Sequence, residues 1–70
     1  MEPREQFAAN LRRLREAAEL TQDALSDRSG LHATEISRLE RGVRDPRLST
    51  VVRLARALGV EPALLLADMR

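Results

Sequence analysis

An all-α bundle of five short helices is the architecture this chain predicts, and three observations carry it. Apolar residues recur at helical spacing along nearly the whole sequence, while period-2 alternation is absent and β-branched residues are few and scattered. Glycines at 30, 42 and 59 stand where three periodic stretches should stop, since glycine accepts the left-handed conformation that ends helices. Hydrophobic residues make up 43% of 70 residues with Phe7 the only aromatic, so the core is small and built from Leu, Val, Ile and Ala.

The elements follow in order. In the first helix, over 4–18, Phe7, Leu11, Leu14 and Ala18 form one apolar stripe at 4-3-4 spacing. Thr21 offers an N-cap to a second helix over 22–28, which buries Leu25 and Ala24 and ends at Gly30. Leu31 plugs the corner before a third helix over 33–41, closed by Gly42. The segment VRDP (43–46) is a loop, because Pro46 disfavours a helical Asp45. A fourth helix over 47–58 buries Leu48, Val51, Val52, Ala55 and Leu58. Pro62 suits the first turn of a fifth, over 62–67, after which the end frays. A single domain spanning 1–70 is expected, without repeats or low-complexity tracts.

Composition excludes several function classes. Without cysteine there are no disulfides or thiolate metal sites, and a lone His32 does not make a dedicated transition-metal centre. Catalysis is not expected either, since any nucleophilic triad would have to use that same histidine at a helix start. No stretch approaches the ~18 apolar residues of a membrane span, and the first ten residues lack the layout of a signal peptide, so a cytoplasmic protein is expected. Net charge is only +1, yet all twelve basic residues are Arg, the side chain that forks onto phosphate or guanine.

Residues 20–42, LTQDALSDRSGLHATEISRLERG, carry the functional signal. Two short helices meeting at a glycine-centred turn fit a helix-turn-helix that lays its second helix in the major groove of DNA. With Ile36 set at zero, Leu39 and Glu40 fall within about 60° on either side and define the core face. Thr34, Ser37, Arg38 and Arg41 fall between about 100° and 200°, one outward arc of polar donors. Ala33, at the helix start, is small enough to approach a base edge or thymine methyl. Arg38, Arg41, Arg44 and Arg47 concentrate positive charge at the end of this helix. Gln22 opens the second helix, whose N-terminal N–H groups suit phosphate. Arg15 lies about 40° from the centre of its own apolar stripe, so Arg15 and Glu40 are candidates for a partly buried ion pair clamping the first helix to the third.

The segments LRRLREAAELTQDAL (11–25), SGL (29–31), EISRLERGVRDP (35–46) and LARALGV (54–60) together resemble the phage repressor/Cro-type helix-turn-helix family of bacterial regulators, also called the XRE family. That resemblance implies a lambda-repressor-like bundle, dimeric binding to palindromic operators, and transcriptional regulation. It implies that Ala33, Thr34, Ser37 and Arg38 face base edges and that Arg41, Arg44 and Arg47 approach the DNA backbone. Gln22 is implied to contact phosphate and steady the start of the recognition helix, and Arg15 to pair with Glu40. Three positions depart from the family pattern: His32 and Glu61 replace Ser or Thr caps, and Ser26 replaces Ala.

The expected partner is double-stranded DNA, placing the bound protein on the nucleoid. No cofactor, membrane contact or small-molecule ligand is expected. Leu64, Leu65 and Leu66 sweep about 200° of the last helix, wider than one core face needs. Leu65, Leu66 and Met69 are therefore candidates for a homodimer contact. The competing reading is a protein-interaction module of the same fold, such as an antitoxin neutralising a partner protein.

Overall fold

The first, second and fifth helices begin where the sequence removes or satisfies an orphan N–H. Pro3 opens α1 (Pro3–Ala17), where a missing N–H costs nothing, and the Glu5 carboxylate accepts a hydrogen bond from the Glu2 N–H at 2.9 Å. Thr21 caps α2 (Gln22–Ser29), its hydroxyl accepting from the Ala24 N–H at 3.0 Å. Gly30 ends that helix at φ 76° and turns the chain into α3 (Ala33–Glu40). After the 41–47 loop come α4 (Leu48–Leu58) and α5 (Pro62–Leu65). The computed structural model describes all residues from 1 to 70, and every regular element in it is helical.

The helices pack as a ring of neighbours: α1 on α3, α3 on α2, α2 on α4, α4 on α5, and α5 back on α1. Phe7, Leu11, Leu25, Ile36, Leu39, Val51, Leu54, Ala55 and Leu65 meet in one core, with every helix contributing. Cα atoms lie within a radius of gyration of 10.5 Å. About 11 Å is usual for a globular chain of this length, so a nearly all-aliphatic core still packs tightly.

Several expected positions move. Ala18 caps the C-terminus of α1 instead of extending its stripe and is exposed, leaving Leu20 to pack against the core. Leu48, at the first position of α4, is 78% exposed, and Leu54 takes the core place instead. The last helix stops at Leu65, two residues early. Leu65 itself is fully buried, seated between α1 and α4, so it is unavailable to a partner; Leu64 and Leu66 flank it at 47% and 44% exposure.

Asn10 explains the early stop. It is fully buried on α1, and its amide donates to the carbonyls of Leu65 at 2.9 Å and Ala67 at 2.8 Å. The Leu65 carbonyl ends α5 and the Ala67 carbonyl lies just past it, where intrahelical partners run out. Its Oδ1 accepts from Gln6 at 3.0 Å and Arg13 at 3.2 Å, so the side chain is satisfied throughout. Asn10→Ala strips two carbonyls of their donor and is expected to cost about 2 kcal/mol, read as a lower urea midpoint. An unchanged midpoint would mean that water replaces the amide without loss.

Candidate nucleic-acid interface

The outward face of α3 is presented by a clamp behind it. Arg15 and Glu40 form a bidentate pair, Nε to Oε2 at 2.6 Å and Nη2 to Oε1 at 3.0 Å, with side chains only 12% and 4% exposed. The remaining Arg15 nitrogen donates to the Leu20 carbonyl at 2.8 Å, which ties in the link between α1 and α2. Gln22 adds a bond from its amide to Glu40 Oε1 at 3.1 Å. The hydrogen bond to Glu40 holds the Arg15 guanidinium above its usual pKa, an effect that burial partly opposes. Its charge is therefore permanent, and the clamp does not titrate from the arginine side.

Gln22 thus joins the last residue of α3, not its start. The start is held differently. The Ser26 hydroxyl donates to the Leu31 carbonyl, and the Leu31 N–H donates to the Ser29 hydroxyl at 3.2 Å, fixing the turn around Gly30. His32 occupies the N-cap with no side-chain cap bond. Glu35, three residues on, stands where a capping box would reach back, yet it makes no side-chain bond there.

With Ile36 and Leu39 fully buried, Thr34 lies exposed and Ala33, Ser37 and Arg38 half-exposed on the other side of α3. None of the Thr34, Ser37, Arg38, Arg41, Arg44 or Arg47 side chains bonds to another group of the chain. A face with so many free donors and one small residue is chemically suited to base edges and phosphates.

The four arginines spaced three apart do not form one row. Arg41 opens onto a shallow cleft beside α1, together with Arg12 and Arg13. Arg44 and Arg47 instead line a crevice at the other end of α3, beside Gly30 and His32. Arginines therefore flank α3 at both ends, an arrangement that follows from the turn at Gly42 and that linear spacing does not reveal; those at the Arg41 end share their cleft with Glu5, Glu16 and Glu40. Two other groups escaped the sequence reading. Arg12 and Arg13 lie on the polar side of α1 between Leu11 and Leu14 of its apolar stripe and read as ordinary solvated positions, and Glu35 falls between the core and outward arcs of α3.

A family model described as "Helix-turn-helix" matches residues 11–65 of this chain. An uncharacterised HTH-type transcriptional regulator of Sinorhizobium fredii, y4dL, is 45% identical over 60 residues, covering 86% of this chain; the chain spans only 31% of that relative's length. Control protein C.SmaI of Serratia marcescens is 41% identical over 66 residues, covering 94% of this chain and 79% of its own. Among solved structures, the restriction-modification controller C.AhdI of Aeromonas hydrophila superposes with a TM-score of 0.86 at 39% identity, covering 89% of this chain and 94% of its own.

The uncapped start of α3 makes a direct prediction. His32→Ser supplies the missing acceptor and is expected to raise stability by about 0.5–1 kcal/mol, seen as a higher urea midpoint. A lower midpoint would show that the imidazole contributes packing that the cap does not replace.

Proposed function

The chain belongs to the phage repressor/Cro-type (XRE) helix-turn-helix family, and from that membership we propose a sequence-specific regulator that binds palindromic operator DNA as a homodimer. The observation that carries this reading is the unpaired donor face of α3, held rigid from behind by Arg15 and Glu40 and bracketed by arginines. In the proposed complex α3 enters the major groove. Arg38 forks onto guanine O6 and N7, and Thr34 and Ser37 bond to adjacent base edges, with Ala33 admitting close approach. Arg41, Arg44 and Arg47 set the register on phosphates, together with the N–H groups and amide of Gln22 at the start of α2.

Dimerisation falls to the α5 surface. Leu66 and Met69 border an apolar crevice with Phe7 and Pro46, and Leu64 is exposed on α5. A two-fold contact there presents two copies of α3 about one DNA turn (~34 Å) apart. Similarity to control proteins is compatible with a restriction–modification controller, and similarity to HTH-type transcriptional regulators equally with another regulator of this fold. Such a role needs no effector, and regulation by the protein's own concentration suffices.

Purified protein is expected to footprint DNA upstream of its own gene with two chains per site, losing roughly 10³-fold in affinity between 50 and 200 mM salt. Arg38→Ala should cost ~1–3 kcal/mol and relax preference at one base pair per half-site. Arg44→Ala should weaken all sequences alike and reduce the salt slope by about one. An Arg38→Ala variant that ranks operator variants as the parent does would contradict base reading by that residue. Flat or absent DNA binding would favour a protein-interaction module.

A further inference from the structure

Glu35 is the one acidic residue in the crevice that holds Arg44 and Arg47. The other nearby acids are engaged elsewhere. Glu40 is committed to Arg15, and Asp45, although adjacent to Arg44 in sequence, lines a separate crevice with Arg4 and Leu66. Glu35 makes no ion pair with either arginine and does not fold back onto the His32 N–H, so its carboxylate shares the crevice with both arginines without a partner inside the chain. The residue is half-buried on a rigid helix, which limits how far that charge can swing away.

Charges sharing a crevice lie inside the Debye length of about 10 Å at 0.1 M salt, so they act on one another without contact. The geometry points to Glu35 as a built-in limit on DNA affinity: its carboxylate cancels part of the field of Arg44 and Arg47 and repels the phosphates that they meet. This inference rests on the reading of those two arginines as backbone contacts. Because the repulsion acts on the backbone, it lowers affinity for every sequence alike and leaves discrimination to Thr34, Ser37 and Arg38. Glu35 also stands in the first turn of α3, where an acid stabilises the helix through its dipole. That contribution appears in unfolding and does not alter the salt dependence of binding.

The test titrates the full chain and its Glu35→Gln and Glu35→Asp variants against the upstream duplex and a scrambled duplex, from 50 to 200 mM salt, with folding checked by circular dichroism. Glu35→Gln is expected to tighten both duplexes about threefold at the lowest salt and to steepen the salt slope by up to about one. Glu35→Asp, which keeps the charge, is expected to stay close to the parent. Equal or weaker binding of Glu35→Gln to both duplexes overturns the inference, as does a change confined to the upstream duplex, which would make Glu35 a base reader. Failure of the unmodified chain to bind either duplex removes the DNA-binding reading itself, a result distinct from a parent that binds and a variant that matches it.

Discussion

The bidentate contact between Arg15 and Glu40 is the constraint through which the rest of this small fold is positioned. It joins α1 to the last turn of α3, and its spare donors and acceptors reach the Leu20 carbonyl and the Gln22 amide. One node thereby fixes three helices and a connecting turn. Removing two charges from water costs several kcal/mol per ion, and the cost is recovered only where geometry is close and the remaining lone pairs are filled. Here the guanidinium forks onto both carboxylate oxygens, and each partner has a further hydrogen bond. The benefit lies in orientation: an aliphatic contact would let α3 slide or roll, whereas a planar fork admits one arrangement.

That orientation divides the labour of residues 20–42. Ile36, Leu39 and Glu40 hold α3 to the bundle, and the donors of Thr34, Ser37, Arg38 and Arg41 are left without partners inside the chain. Asn10, at the middle of α1, does a parallel task, tying the carbonyls of Leu65 and Ala67 to that helix while Leu64 and Leu66 stay at the surface. Two polar anchors on α1 thus position α3 and α5 around a core without Trp or Tyr and with a single Phe.

Much of this was legible in the residues because it depends on local rules. Thr21, Gly30, Gly42 and Gly59 mark helix ends through capping and positive φ, and helical angles alone put Arg15 and Glu40 on the borders of their core stripes. What was hidden depends on contacts distant in sequence. Asn10 reads as a polar residue on an amphipathic helix, and its partners lie 55 and 57 residues away. Leu48 fits an apolar stripe by angle, but angle does not tell whether that turn is covered. Three consecutive leucines gave no sign of which one would be buried. The separation of Arg41 from Arg44 and Arg47 comes from the loop path after Gly42, which no periodicity encodes.

The central claim, that one buried ion pair sets how α3 is presented, is tested most directly by a double-mutant cycle. Arg15→Met, Glu40→Leu and the double variant would be compared by urea unfolding and by operator titration. Each single change strands a buried charge and should cost about 3–5 kcal/mol, while the double should be more stable than either single and still bind DNA less specifically than the parent. Additive losses, with the double variant least stable of the three, would show that the two side chains act independently and that α3 is positioned by its apolar contacts alone.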